Sequence, residues 1–214
     1  MDAFNDAILS TFPGDEKAYF SADSYVTDDP TSTVSMQLPL ELLNSTVING
    51  FPLHKLALKV GCPVLLLRNL DPPRGLCNGT RMIITALGDK VLEAVILTGG
   101  HAGERAFIPR IGLDSNTESG LPISFRRFQF PLRVAFCMTI NKSQGQSLKV
   151  IGLDLSTSVF AHGQLYVALS RATHPSNIFI RLPAAPAHLD NATAAFQTTN
   201  IVYRDLLRDS GLLN

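Results

Sequence analysis

The sequence predicts an α/β protein interrupted by a small all-β insertion, and three observations carry that expectation. Helix-like and strand-like segments mix toward both ends of the chain. Residues 54–113 instead hold short β-like runs divided by Gly and Pro. Two polar motifs, residues 139–148 and 163–172, each lie at the end of a regular element, where backbone groups are free to meet a ligand. At 214 residues, 45% hydrophobic and 17% charged, the chain can bury the core of one large domain or two small ones.

Taken in order, residues 3–12 have helical spacing of Phe4, Ile8 and Leu9 and stop at Pro13-Gly14. Residues 17–21 alternate as a short strand. Residues 24–35, rich in Asp, Thr, Ser and Pro, read as a loop. Residues 39–45 read as a short helix with Pro39 in its first turn. The β-like runs are 56–60, 64–70, 80–87, 91–97 and 105–111, punctuated by turns such as Gly61-Cys62-Pro63 and Gly88-Asp89. Strands at this spacing predict a small barrel. Residues 126–138 read as one or two strands, and Pro131 places their early part at an edge or a bend. Residues 150–155 and 177–182 are expected strands, and 164–172 a helix. Residues 184–199 read as a loop or weak helix, and 201–209 as a terminal helix with Val202, Leu206 and Leu207 inward.

Formal net charge is zero, but its distribution is uneven. Residues 1–50 carry eight acids against Lys17 alone, whereas residues 119–153 carry Arg126, Arg127, Arg133, Lys142 and Lys149 and no acid. A basic stretch beside a motif suits a polyphosphate. The competing reading is a solvated face balanced in space by the acidic N-terminal part. Three cysteines without C-x-x-C spacing predict a reduced intracellular setting and no zinc or other metal site. No apolar run reaches the ~18 residues that span a bilayer, so no membrane partner is expected. The histidines show no H-E-x-x-H spacing, and no G-x-S-x-G elbow occurs.

The first motif, Thr-Ile-Asn-Lys-Ser-Gln-Gly-Gln-Ser-Leu, follows the apolar run 134–138. Its expected form is a buried strand ending at Ile140 and then a polar turn around Gly145, where the backbone can approach a ligand closely. Thr139, Lys142 and Ser143 can bond phosphate oxygens without reading bases, and Gln144 can both donate and accept. An ordinary strand-to-helix turn accounts for the same residues. The second motif, Gly-Gln-Leu-Tyr-Val-Ala-Leu-Ser-Arg-Ala, is expected as a mostly buried helix closed by Arg171. That arginine can satisfy the helix's last carbonyls. Aimed at a domain cleft, it can instead act as an arginine finger on a transferring phosphoryl group.

In this order, with a strand between them, the two motifs resemble the fifth and sixth conserved motifs of superfamily-one helicases. Further stretches narrow the resemblance. Asn5-Asp6-Ala7-Ile8-Leu9, the Leu-x-x-Phe-Pro-Gly of residues 9–14 and Tyr19-Phe20-Ser21-Ala22-Asp23 look like the start of the second motor domain in the Pif family of DNA helicases. So do Glu41-Leu42-Leu43-Asn44, Pro52-Leu53-His54-Lys55-Leu56 and residues 59–70. Most distinctive is Arg74-Gly75-Leu76-Cys77-Asn78-Gly79-Thr80-Arg81, which also resembles the family's Helitron-transposon members. The likeness runs from about Asn5 to Leu182.

The resemblance implies a RecA-like second motor domain, a P-loop NTPase fold without its own P-loop, carrying an inserted small all-β barrel of the Src-homology type. Residues 1–59 and 116–183 would form motor domain 2A, residues 60–115 the inserted domain 2B, and residues 184–214 a C-terminal extension. Arg171 matches the arginine that contacts the γ-phosphate. Gln144, Gly145, Gln164 and Tyr166 match positions that bind nucleotide or couple the two sites, or pack beneath them. Thr139, Lys142 and Ser143 match the strand grip, and His54 and Lys55 fall in a segment near the DNA path. Residues 50–54 read Gly-Phe-Pro-Leu-His where the family pattern is Gly-Leu-Pro-Pro-His, so that loop departs from it. The implied cofactors are ATP and Mg²⁺, the Mg²⁺ ligands lying outside this chain. The implied partners are single-stranded DNA, duplex junctions and an N-terminal motor domain. Processes of that kind include DNA repair, recombination and telomere maintenance, in the nucleus or mitochondrion of a eukaryote.

No G-x-x-x-x-G-K-[ST] loop occurs in the sequence. The chain is therefore expected to hydrolyse no ATP alone, as a gene-model fragment or a decayed mobile-element copy. A rival reading is a non-catalytic single-strand-binding module built on the barrel. Residues 60–115 disfavour it, holding Phe107 as their single aromatic where such modules use stacking platforms. An inert remnant is the other alternative.

Overall fold

Strands dominate the computed structural model, which describes residues 2–26, 39–48, 50–115, 124–182 and 198–203. The chain divides into two compact units, Met1–Cys137 and Met138–Asn214. The first contains helix α1 (Asp2–Thr11), strands β1 (Lys17–Phe20) and β2 (Ala22–Tyr25), and helix α2 (Leu40–Ser45). It continues with β3 (Lys55–Leu58), β4 (Pro63–Leu66), β5 (Arg81–Leu87), β6 (Val91–Ile96) and β7 (Arg105–Pro109). Strands β8 (Ile111–Asp114), β9 (Phe125–Gln129) and β10 (Leu132–Val134) complete it. The second unit holds β11 (Ile151–Asp154), helix α3 (Gln164–Leu169) and β12 (Ile178–Arg181).

Hydrophobic alternation sets the main sheet of the first unit. Its order is β10-β4-β5-β6-β7, every pair antiparallel. Val64, Leu66, Met82, Ile84, Leu92, Ala94 and Ile108 point to one face and are fully buried, as period-2 side chains on a half-covered sheet must be. Leu9 of α1 and Tyr19 of β1 join that core. The helix is tied down by Asn5, whose amide donates to the Cys137 carbonyl at 3.2 Å and accepts from its N–H at 2.8 Å. Strand β1 pairs antiparallel with β3, and β2-β9-β8 form a third sheet, packed near a smaller cluster of Leu43, Phe51, Leu113 and Phe125.

Several expected boundaries move. The run at 56–60 is β3, which leaves the main sheet to pair with β1, and β10 takes its place there. The run at 105–111 breaks at Pro109, which lacks an N–H and closes the edge strand β7, so β8 departs for the sheet of β2 and β9. A window of 60–115 is thus not a closed hydrogen-bonded set. The early part of 126–138 is not an edge: β9 is the central strand of its sheet, and Pro131 lies in the break before β10. Residues 22–25 form β2, although the expected loop starts at 24, and residues 27–35 of that loop lie outside the described residues.

In the second unit β11 and β12 pair in parallel, Ile151 opposite Ile178. Leu153, Leu155, Val159 and Ala168 form its core, with Ile140, Leu165, Leu182 and Ile201 packed against them. Residues 201–203 are not helical; Ile201 is the inward residue there and Val202 is exposed, while the rest of the expected terminal helix lies outside the described residues. Parallel pairing through a helical connection is the RecA-like signature of this part, and the first unit contains the small β domain.

Candidate functional site

The apolar run before the first motif does not stay a strand. Strand β10 ends at Val134, and the motif opens as a 3-10 turn, Ile140–Ser143. Thr139 caps it: its hydroxyl accepts weakly from the Lys142 N–H at 3.4 Å, as an N-cap threonine does. Ser143 is buried, and its hydroxyl donates to the Ile140 carbonyl at 2.6 Å. It therefore supports the turn from inside and is not presented to a ligand. Lys142 and Gln144 are exposed, and no ion pair engages Lys142 among the described residues. Gly145 has φ of +78°, the left-handed region where a side chain is strained. A Cβ there would meet nothing within 4 Å, so backbone angle, not crowding, requires the glycine.

The second motif is a shorter and more open helix than its composition implies. Helix α3 ends at Leu169; Gln164 and Ala168 are its buried residues, one turn apart. Tyr166 is 75% exposed, so it does not pack beneath the site. Gln164 is a structural clamp: its side-chain oxygen accepts the N–H groups of Phe160 at 2.9 Å and Ala161 at 3.3 Å.

Arg171 lies past the end of α3, half-buried. Its Nε donates to the Val167 carbonyl at 2.9 Å, Nη1 to the Gln146 carbonyl at 3.0 Å and Nη2 to the Ser170 hydroxyl at 2.9 Å. The guanidinium thus does what a helix C-terminus asks of an arginine and also clasps the residue after the Gly145 turn. Leu148 N–H donates to the Arg171 carbonyl at 2.9 Å, and Leu148 bridges Ala172 in parallel. The two motifs are therefore stitched side by side. Three of the five N–H groups of Arg171 are used, leaving two that can take an anion without releasing the head.

Gln146 escaped the sequence reading. Its amide donates to the Lys142 carbonyl at 3.1 Å, while its side-chain oxygen is buried with no partner among the described residues. The repeated Gln-x-Gln around Gly145 is the signal that marks it. His54 and Lys55 belong to the first unit, the two motifs to the second. His54 is half-buried and bonded to Ser21, and Lys55 is exposed at the start of β3.

Of the basic stretch, three arginines are already neutralised. Arg127 pairs with Asp23 at 2.7 Å, Arg133 with Asp2 at 2.6 Å, and Arg126 with Asp114 at 2.6 Å. The Asp114 carboxyl is held below its usual range chiefly by the Arg126 hydrogen bond. The acidic N-terminal part supplies two of these partners, but the Arg127–Asp23 pair is buried and so is not the solvated face expected. Among the described residues no cluster of three acids, histidines or cysteines could hold a metal.

The fold defines a class: a RecA-like second domain together with a small β domain. Comparison with known proteins agrees. The family profile described as DNA helicase Pif1, 2B domain, matches residues 41–87. The Xenopus laevis ATP-dependent DNA helicase PIF1 is 34% identical over 176 residues, which are 80% of this chain and 24% of that protein. A solved structure of Pif1 helicases at forked double-stranded DNA matches with a TM-score of 0.64 at 27% identity, covering 98% of this chain and 40% of that one. The Candida albicans Pif1 helicase matches in fold with a TM-score of 0.64 at 23% identity, over 100% of this chain and 47% of that one. The chain is similar to the C-terminal part of Pif-family helicases and spans about a quarter of the length of the curated relatives it matches.

Proposed function

We propose that this chain is the strand-gripping, ATP-sensing part of an ATP-dependent DNA helicase, working with a first motor domain that supplies the P-loop and the Mg²⁺ ligands. One observation carries the reading: Arg171 is clasped to the Gly145 turn through the Gln146 carbonyl at 3.0 Å, so a nucleotide sensor and a strand-side turn form one rigid piece. ATP supplies the energy when bound between the two motor domains. The residues here do the rest. Arg171 offers its two remaining N–H groups to the γ-phosphate, where an arginine finger is worth about 10³–10⁵ in rate. Gln146 and Leu148 carry any shift of that guanidinium into the Thr139–Lys142 cap, which holds strand phosphates without reading bases. Single-stranded DNA and forked junctions are the proposed substrates, as in the relatives' structure at forked DNA.

The test uses a complete enzyme containing this chain. Arg171→Ala should abolish strand-stimulated ATP turnover while single-strand affinity changes by less than about threefold, because the strand contacts lie elsewhere. Normal turnover in that variant would remove the finger role.

A further inference from the structure

Phe20, the last residue of β1, is 56% exposed although its neighbour Tyr19 is buried. Its ring lies 5.6 Å from that of His54, the planes at 55°. We propose that these two rings form a base-stacking station for single-stranded nucleic acid, with His54 held in orientation by Ser21. This rests on the strand-binding reading above and adds the mode of contact and a residue, Phe20, that neither motif contains.

The mounting is rigid. Arg110 Nη1 donates to the Phe20 carbonyl at 2.7 Å. The amide of the fully buried Gln129 donates to both the Tyr19 and the His54 carbonyls at 3.0 Å. The Ser21 N–H donates to the His54 carbonyl at 2.9 Å. Backbone on both sides of the ring pair is therefore clamped, and a platform that does not move gives more of its contact energy to the ligand.

Proton counting fixes the histidine. Ser21 Oγ has one hydrogen and gives it to Asp23 Oδ1 at 2.6 Å. That carboxylate can only accept, since Arg127 Nε and Nη2 also donate to it. The 2.8 Å contact between Ser21 Oγ and His54 Nδ1 then requires Nδ1 to be the donor. Nδ1 carries its hydrogen in either charge state, and Nε2 is left for a ligand. The buried Arg127–Asp23 pair thus sets the ring through one hydroxyl. Lys55 stands directly opposite Phe20 in the β1–β3 ladder and is exposed, which places a cation beside the rings. Aromatic faces flanked by a cation are what single strands bind, because every base has a π-face and every link a phosphate.

Two labelled probes on the full chain test this: an oligothymidine and the same backbone without bases. Phe20→Ala should weaken oligothymidine binding about 5- to 100-fold and leave the abasic probe unchanged, the size of one lost stacking contact. Phe20→Leu, which keeps apolar bulk at an exposed site, should lose most of the same affinity, and Phe20→Tyr should keep it. Ser21→Ala should give a smaller loss that Ser21→Thr restores, a rescue that a merely structural serine does not show. Wild-type affinity in Phe20→Ala and Phe20→Leu, or an equal loss on both probes, overturns the station while leaving strand binding in place. Failure of the unaltered chain to bind either probe overturns the strand-binding reading and the station with it.

Discussion

Arg127 shows how far one side chain can depart from its sequence context. It lies in a run that reads as a basic face, yet it is 1% exposed, as is its partner Asp23. Its head also donates to the carbonyls of Leu43 at 2.7 Å and Pro52 at 3.0 Å, and lies 5.3 Å from the Phe125 ring centroid. Removing one member of such a pair strands the other charge in the core. Asp23→Ala should therefore destabilise the chain by about 3–5 kcal/mol, read by denaturant unfolding, whereas paired replacement by apolar residues should cost much less. Lys142 is the opposite case, exposed and without an ion pair among the described residues. Lys142→Ala should weaken single-strand binding and reduce the slope of log K against log salt by about 0.7, the loss of one phosphate contact on a single strand. An unchanged slope would move Lys142 off the strand path. Residue types and spacing made the candidate positions legible; which cations were already paired depends on strand registers, and local sequence does not encode them.

At the level of elements, periodicity located most segments and misjudged their company. Helix α1, helix α2 and strands β4 to β6 lie close to their expected positions because apolar spacing and Gly or Pro punctuation are local signals. Strands β3 and β10 were located without their partners, since pairing is a long-range choice, and β8 begins where the expected run ends. Helix α3 was expected to be mostly buried because most of its residues are apolar; only one face meets the core of its unit. The end of β11 carries its own test. Asp154 accepts the Ser156 N–H at 2.9 Å, with the Arg181 guanidinium 3.8 Å away. Those contacts, the Ser156 backbone first, hold its carboxyl below the usual aspartate range. A depressed carboxyl stabilises the fold above its unfolded value of about 3.9 and loses that contribution as pH falls through the folded value. An NMR titration should place its midpoint below that of a free aspartate. The Tm deficit of Asp154→Ala should be full at pH 6 and shrink toward zero in stronger acid; a deficit independent of pH would mean the carboxylate is not what stabilises the turn.

For the whole molecule, the proposed role turns on which parts of a phosphoryl-transfer site this chain would supply. Cleavage of ATP needs phosphates cradled by a glycine-rich loop and its lysine, a metal bridging β- and γ-oxygens, and a cation to meet charge at the γ-phosphate. The sequence holds no loop of the G-x-x-x-x-G-K-[ST] pattern, and the described residues hold no metal-binding cluster. What they do hold is Arg171 with two uncommitted N–H groups, bonded to the turn that follows Lys142. A cation without a cradle lowers no barrier, because the nucleotide is never brought to it. The purified chain should therefore release no phosphate from ATP above background, with or without single-stranded DNA. Mixing it with a separately folded Pif-type first motor domain should restore DNA-stimulated release, and Arg171→Ala in this chain should remove the restored activity. Phosphate release by the chain alone, sensitive to Arg171→Ala, would mean a nucleotide cradle exists that neither the motif pattern nor the described residues reveal. Restored release that is indifferent to Arg171 would leave the two motifs as a folding unit and place the catalytic cation elsewhere.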